Sequence, residues 1–459
     1  MKDPTPAEGA PDSWESGMKL LENLPPELLA GALEVCSVLR RAGHQAVFAG
    51  GVVRDCLLRR PVSDVDIATT ATPGQIESLF QRTHEIGREF GVTLVLIDER
   101  PFEVTTFRRE GKYEDGRHPS SVEFTDIQDD ARRRDFTINA LFLDPSTGEL
   151  IDLVSGREDL QASLIRSVGK PRQRFQEDKL RLLRAVRFSS QLGFDIEDST
   201  WQAVLEMTPG IRQVSWERIR DELLKLLTSA QAADGLRRLF ESGLMEQILP
   251  DVAKMDGVQQ PPEYHPEGDV FIHTCLLFEL GAPISDPVLA LAMLLHDVGK
   301  PPTFQIADRI RFNGHAEVGA EMAAVICRQF RLPTKETQQV VELVRDHLRF
   351  IHVMEMREST LKRFLGRSDF ERHLELHRLD CLASHGDLTA FDFCRQKLEE
   401  FRNQPLRPQP LISGHDLIQL GLKPGPVFTV ILRELEDLQL EEQIQTREAA
   451  LDWARARLA

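Results

Sequence analysis

The 459-residue sequence has no apolar run approaching the roughly 20 residues needed to cross a bilayer. No membrane partner is therefore expected. Its first residues lack the basic-then-apolar pattern of an export signal, so a cytoplasmic location is expected. Cysteine is sparse: Cys36, Cys56, Cys275, Cys327, Cys381 and Cys394 are the six present, and none forms a CxxC pair. That argues against a zinc finger or a disulfide framework and suits reduced thiols. There is no internal repeat and no low-complexity tract. An overall excess of positive charge is also missing, the formal net charge being −17. A nucleic-acid partner would have to follow a local basic stripe while much of the remaining surface repels it. What is present is an ordinary globular composition, 41% hydrophobic and 28% charged, long enough for about three domains.

One such stripe exists. Residues 157–187 hold nine basic residues against four acidic ones, a net of +5. Around it the chain divides by pattern. Residues 1–24 are rich in proline and turn formers and are expected to be loosely ordered. Residues 25–160 mix helical and alternating segments, including an amphipathic helix over 28–42 and a hairpin of 92–97 with 102–107, and read as a small α+β unit. Residues 161–256 have helical spacing throughout. A second helical unit spans 257–401, after Pro261, Pro262 and Pro266, and a helical tail spans 402–459 around Pro405, Pro408 and Pro410.

The chemistry concentrates in residues 46–68, Ala-Val-Phe-Ala-Gly-Gly-Val-Val-Arg-Asp-Cys-Leu-Leu-Arg-Arg-Pro-Val-Ser-Asp-Val-Asp-Ile-Ala. The pattern predicts strand, glycine turn, short helix and second strand. Gly50 and Gly51 lack Cβ atoms, so backbone N–H groups there can approach a phosphate. Arg54 follows one turn later. Asp64 and Asp66, two apart in a β-type run, are expected on one face, where two carboxylates can share Mg²⁺. Asp64-x-Asp66 alone would suit a solvated surface turn; the glycine pair and flanking apolar strands favour phosphoryl or nucleotidyl transfer. Glu103, on the hairpin, can supply a third carboxylate. Arg134 in Arg132-Arg-Arg-Asp-Phe-Thr-Ile-Asn-Ala-Leu141 offers a guanidinium fork for a triphosphate. Asp135 and Asn139, four apart, are expected on one helix face, presented to a ribose.

In Glu177-Asp-Lys-Leu-Arg-Leu-Leu-Arg-Ala-Val-Arg-Phe188, Asp178 and Arg181 are expected as neighbours on a helix, an acceptor beside a donor. Cytosine and adenine both place an exocyclic amine beside a ring-nitrogen acceptor, so such a pair reads both. Uracil and guanine would leave unpaired groups costing about 1–3 kcal/mol each. Arg184 continues the spiral. Arg187, roughly half a turn away from Asp178, is expected to meet phosphate or another partner.

These three stretches, in this order over residues 45–190, resemble the motifs of class II tRNA nucleotidyltransferases and bacterial poly(A) polymerases within the polymerase β-like nucleotidyltransferases. The resemblance implies an α+β fold class: a nucleotidyltransferase head with a small mixed sheet, an all-α neck and body, an α-helical HD domain and a helical tail. It makes Glu177, Asp178 and Arg181 the amino-acid template that selects CTP and then ATP. Residues 190–250, including Trp216-Glu-Arg-Ile-Arg-Asp-Glu-Leu223, are similar to the family's RNA-contacting region. The polar stretch Arg108 to Phe124 reads as a mobile surface loop, and in this family such a loop accompanies addition of A.

The second half resembles the HD phosphohydrolase superfamily. Ala292-Met-Leu-Leu-His-Asp-Val-Gly-Lys300 follows Tyr264-His-Pro-Glu-Gly-Asp-Val-Phe-Ile-His273, with His315, His347 and Asp380 downstream. His273, His296, Asp297 and Asp380 match the superfamily's metal positions, and this donor set suits Mn²⁺ or Ni²⁺ as well as Mg²⁺. His315 and His347 are candidates for a second metal or for orienting a phosphate. His373 and His377 are expected on a helix surface. The expected activity is addition or repair of the tRNA 3′ CCA end from CTP and ATP. Two alternatives stand beside it: A-only addition to tRNA or as a poly(A) tail, and an HD phosphohydrolase whose N-terminal half binds RNA.

Overall fold

The computed structural model describes residues 17–87, 91–111, 122–402, 406 and 408–457. By contacts the chain divides into two units, Met1–Ile248 and Leu249–Ala459. In the first, α1 (Gly17–Leu21) and α2 (Pro26–Arg41) precede β1 (Ala46–Ala49), α3 (Gly51–Leu57), β2 (Asp66–Thr69), α4 (Pro73–Leu79), β3 (Thr83–Gly87), β4 (Val92–Ile97) and β5 (Arg100–Thr106). Then come β6 (Arg108–Glu110), β7 (Val122–Phe124), α5 (Ile127–Arg133), β8 (Leu141–Leu143) and β9 (Leu150–Asp152). Seven of these strands form one mixed sheet in the order β3-β4-β5-β2-β1-β8-β9. The pair β2·β5 is parallel and its other neighbours are antiparallel. β1 lies inside the sheet with all four residues buried, so its sequence is continuously apolar instead of alternating.

The expected amphipathic helix packs through a buried stripe of Leu28, Ala32, Val35, Cys36 and Leu39. Helix and sheet approach so closely that a Cβ on Gly31 would stand 2.5 Å from the Phe102 ring. On the sheet, Val47, Ala68 and Ala131 surround Phe107 and Phe142, which meet edge to face at 6.2 Å.

Several expectations are corrected by the structure. Residues 17–24, read as loosely ordered, carry α1 and bury Leu20, Leu21 and Leu24, because these leucines supply an apolar anchor that the prolines obscure in the sequence; residues 1–16 lie outside the described residues. Asp64 is not on a strand: β2 begins at Asp66, and Asp64 sits in the irregular segment after Pro61. The stretch from Arg108 to Phe124 is not a loop at its ends. There β6 and β7 pair antiparallel, joined also by an Arg109–Glu123 ion pair at 2.9 Å, while residues 112–121 lie outside the described residues.

The remainder of this unit is helical: α6 (Gly156–Gln161), α7 (Pro171–Glu177), α8 (Leu180–Leu192), α9 (Asp198–Met207), α10 (Trp216–Leu227), α11 (Ala232–Glu241) and α12 (Leu244–Ile248). Against the expectation of helix throughout, β10 (Leu164–Ile165) and β11 (Asp195–Ile196) form a short parallel pair. α8 is its core helix, buried along Leu182, Leu183, Ala185, Val186 and Phe188, and packs on α10 and α11.

The second unit contains α13 (Pro250–Ala253), α14 (Val270–Gly281), α15 (Pro287–Leu295), α16 (Lys300–Thr303), β12 (Gln305–Ile306), β13 (Ile310–Arg311), α17 (His315–Gln329) and α18 (Thr334–Asp346). A 3₁₀ segment (His347–Glu355), α19 (Glu358–Leu365), α20 (Phe370–Ala383), α21 (Thr389–Glu400), α22 (Gly414–Gln419), α23 (Pro426–Leu440) and α24 (Arg447–Ala456) complete it. α15 is apolar all round and buried from Val288 to Leu295, as a central helix must be. A separate apolar cluster of Ile412, Leu417, Ile431, Leu435 and Ala450 holds α22–α24 together. No helix among the described residues is long and apolar enough to cross a membrane.

Candidate functional site

In the first unit the glycine turn, the start of the β2·β5 pair and the start of α8 surround one cavity of about 970 Å³. At its sheet side Asp66 stands opposite Glu103 in the parallel register, so both carboxylates leave the same face, and Asp64 joins them at the wall. Burial, then the neighbouring charges of Glu103 and Asp64, push the Asp66 carboxyl up to about 6. Glu103 opens onto the cavity, yet burial and Asp64 raise its carboxyl too. Three carboxylates gathered on one wall, two of them raised, are a site where a hard divalent cation fits, because the cation relieves the repulsion.

Gly50 has φ 72° and ψ −124°, which favours glycine. A Cβ there would also come 2.8 Å from Arg134 Nη1. Arg134 lies on the Phe142 ring, donates from Nε and Nη2 to Asp130, and donates from Nη1 to the Asn139 carbonyl at 3.0 Å. Arg54 is buried; its Nη1 donates to Asn139 Oδ1 at 2.6 Å and its other nitrogens to Asp55. From there a continuous polar chain crosses the cavity wall. Asn139 Nδ2 donates to Asp135 at 3.1 Å, Arg184 donates twice to Asp135 at 2.6 and 2.9 Å, and Glu222 accepts from Arg184 at 3.1 Å and Arg187 at 2.8 Å. Burial works against the Asp135 charge, but Arg184 holds its carboxyl well below the usual range. Burial pushes Arg187 down to about 10 despite Glu222.

The residues named from sequence therefore meet, with changes of local geometry. Gly50, Gly51, Arg54, Asp64, Asp66, Glu103, Arg134, Asp135, Asn139, Asp178, Arg181, Arg184 and Arg187 all line the cavity; Glu177 is not in its wall and accepts from Arg181 at 3.0 Å. Asp135 and Asn139 do not share an α-helix. α5 ends at Arg133, Phe136 bridges to Ser167, and Asn139 returns toward Asp135 on a 3₁₀ turn. Asp178 is not within a helix either. It occupies the break between α7 and α8, where its Oδ1 accepts from Leu180 N at 3.0 Å. Its charged partner is Arg218, while Arg181 donates to Glu177 and to the carbonyls of Arg174 and Arg133. Arg187, expected to meet phosphate or another partner, pairs with Glu222 and Gln191.

Arg218, Glu222 and Asp130 were not singled out. Arg218 and Glu222 are four apart in the quoted run of α10, which puts them on one face, but nothing local names their partners forty residues away.

In the second unit α14 carries His273, His296 follows α15, α17 begins at His315, His347 follows α18, and α20 carries Asp380. His273 Nε2 is 3.1 Å from Asp380 and 3.9 Å from Asp297, and His296 Nε2 is 3.1 Å from Asp297 Oδ2. His315 and His347 approach the other oxygen of Asp297 at 3.6 and 3.9 Å. His373 and His377 are buried, not on a surface: His377 stacks on Phe350 at 4.2 Å, because this side of α20 faces the aromatic core and not solvent. Lys300, outside the expected set, stands 2.7 Å from Asp297 Oδ2.

These donors fit a divalent ion. The Nδ1 atoms of His296, His315 and His347 lie 2.8, 2.8 and 2.6 Å from backbone carbonyls. A carbonyl only accepts, so each Nδ1 carries the proton and each Nε2 presents a lone pair. The Nε2 atoms of His315 and His347 then face each other at 3.3 Å, and His296 Nε2 is buried without a hydrogen bond among the described residues. A cation resolves both arrangements. Three donor groups are found among the described residues, and two of them, His273–His296–Asp380 and Asp297–His315–His347, use these Nε2 atoms; the third is His265–Glu267–His273.

The sequence matches three family models: the poly A polymerase head domain over residues 46–166, the probable RNA and SrmB-binding site of polymerase A over 193–255, and the HD domain over 270–383. It is 46% identical over 218 residues to a CCA-adding enzyme of Bacillus subtilis, an alignment covering 47% of this chain and 55% of that protein. The chain thus spans about half the length of several curated relatives it matches. With a CCA-adding enzyme of Streptococcus suis it is 31% identical over 436 residues, covering 94% of this chain and 97% of that one. The crystal structure of a Bacillus stearothermophilus CCA-adding enzyme in complex with CTP superposes with a TM-score of 0.71 at 27% identity, over 95% of this chain and 98% of that one.

Proposed function

We infer the activity from membership: this chain belongs to the CCA-adding enzyme family, and its reaction is the addition or repair of the 3′-terminal CCA of tRNA from CTP and ATP without a nucleic-acid template. The observation that carries this is a single cavity with three carboxylates at one side and Asp178 and Arg181 at another. Asp64 and Asp66, with Glu103 beside them, would hold Mg²⁺, which when bound activates the RNA 3′-hydroxyl and neutralises charge on the leaving pyrophosphate. Gly51, Arg54 and Arg134 hold the triphosphate. Arg54, Arg134 and Arg181 each commit three N–H groups to protein partners, and a guanidinium has five, so each keeps donors for a ligand. Asp178 accepts from the exocyclic amine of cytosine or adenine and Arg181 donates to the adjacent ring nitrogen. Glu177 holds Arg181, Arg184 and Arg187 assist through the Asp135–Glu222 chain beside it, and Asp135 and Asn139 face the ribose.

We divide the labour as a head over 25–160, a nucleotide-selecting and RNA-binding neck and body over 161–256, an HD domain over 257–401 and a tail over 402–459. The six cysteines are free and buried, which agrees with the cytoplasm as the working compartment. Incubating tRNA that lacks CCA with each nucleoside triphosphate tests the reading. CTP and then ATP are incorporated; absence of CTP incorporation would leave A-only addition instead.

The paired donor groups of the second unit favour an additional reading, metal-dependent phosphoester hydrolysis. His273, His296, Asp297 and Asp380, with His315 and His347, would hold Mn²⁺ or Ni²⁺, whose Lewis acidity polarises a phosphate. Release of phosphate from a phosphomonoester by the full chain, lost on chelation, tests it.

A further inference from the structure

One part of the Tyr264–His273 stretch has no role in the scheme above. Glu267 Oε1 lies 2.8 Å from His265 Nδ1 and 2.7 Å from His273 Nδ1. The two imidazoles stand edge to face at 5.0 Å with the carboxylate between them. Glu267 keeps only 6% of its side-chain surface in solvent, and its Oε2 is buried without a hydrogen bond among the described residues. An ionised carboxylate buried with one oxygen unpartnered is costly, so stability alone does not account for it.

The three other histidines of the centre have Nδ1 tied to backbone carbonyls, whereas His273 meets a carboxylate at that position. In this conformation the 2.7 Å approach lies outside hydrogen-bond geometry, and Nε2 bonds Asp380 instead; once Nδ1 donates to the carboxylate, which only accepts, the Nε2 lone pair is left free toward Asp380 and Asp297. A charged acceptor also makes the imidazole a stronger donor than a carbonyl does. We propose that Glu267 is the positioning residue of the HD centre: it sets the tautomer and basicity of His273 toward a divalent ion, and its second contact, to His265, holds the carboxylate in place. This rests on the metal-centre reading given above.

The test is titration of the full chain, carrying Asp64→Ala and Asp66→Ala to silence the head, with Co²⁺ and Mn²⁺, following heat release and the visible Co²⁺ spectrum. Glu267→Gln keeps the shape and is expected to weaken binding about tenfold, and Glu267→Ala toward a hundredfold. Stoichiometry should stay constant and the Co²⁺ bands should shift. Nucleotide addition by chains carrying only the Glu267 change should match wild type, and circular dichroism with a thermal melt of the same chains should match wild type as well, which shows that the second unit folds. A Glu267→Gln chain binding as tightly as wild type, with unshifted bands, would overturn the proposal. So would loss of one equivalent of metal with the rest unaffected, since Glu267 would then be a ligand with His265 and His273. Failure of the parent chain to bind Co²⁺ or Mn²⁺ at all would instead remove the metal-centre reading, and this inference with it.

Discussion

The carboxylate of Asp178 is gripped by Arg218 and not by Arg181. Arg218 Nη2 donates to Oδ2 at 2.7 Å and Nη1 to Oδ1 at 3.2 Å, from α10 across to the break before α8. A two-pronged guanidinium contact fixes the plane of a carboxylate. In the proposed reaction, that plane decides which base edge Asp178 can accept from. Arg218→Met should therefore lower kcat/KM for CTP and ATP by about ten- to hundredfold, the range set by roughly 1.5–3 kcal/mol for a hydrogen bond to a charged group. It should also raise UTP incorporation relative to CTP. Single-nucleotide kinetics on a tRNA lacking CCA measure both; unchanged discrimination would mean that the grip does not orient Asp178.

Asp66 gives a pH prediction. Its carboxyl is raised to about 6, and a raised acid binds its proton more tightly folded than unfolded. The associated stability is fully present below the unfolded value near 4 and is lost as pH rises through about 6. Metal-free wild type should therefore lose stability relative to Asp66→Asn between pH 4 and 6, and the two should run parallel above. Urea denaturation in a chelator at each pH reads this. Added Mg²⁺ should stabilise wild type above pH 6, little below it, and Asp66→Asn hardly at all.

Much of this site is readable from local pattern. The glycine pair, Asp64, Asp66 and Asp178 reach one cavity as their short local patterns suggest, although Asp64 precedes its strand, Asp178 falls in a helix break and Glu177 stays out of the wall. Glu103 is legible as a strand residue, but only pairing across the sheet puts it opposite Asp66. Partners supplied by another element are not legible. Glu222 looks like any acidic residue on a helix until Arg184 and Arg187 are found against it. The helix ends at Arg133 and Glu177 were also misjudged, since a bridge to Ser167 and a side-chain hydrogen bond at Asp178 override helical spacing there.

Glu222 is 4% exposed and serves two arginines. Removing it leaves Arg187 with Gln191 and Arg184 with Asp135, two guanidinium groups close together with one fewer carboxylate. Breaking one side of a buried ion pair costs about 3–5 kcal/mol. Glu222→Ala should lower the melting temperature of this unit by roughly 10 °C. Glu222→Gln should lose less, because an amide oxygen still accepts. Thermal melts with and without CTP check this, and CTP should recover part of the loss if the arginines contribute to its site.

The two halves make a separable prediction. His296 and Asp297 lie at the end of α15 in the second unit, and the proposed addition chemistry lies wholly in the first. His296→Ala with Asp297→Ala removes one Nε2 lone pair and both oxygens that face His315, His347 and Lys300. Binding of Mn²⁺ or Ni²⁺ at this centre, and any phosphatase activity, should then disappear, because the His273–His296–Asp380 and Asp297–His315–His347 groups each lose a ligand. CCA addition by the same chain should continue near the wild-type rate, measured on tRNA lacking CCA. A folded double variant that binds no metal at this centre but also no longer adds nucleotides would mean that addition depends on the second unit's metal, and the division into two independent sites would have to be abandoned.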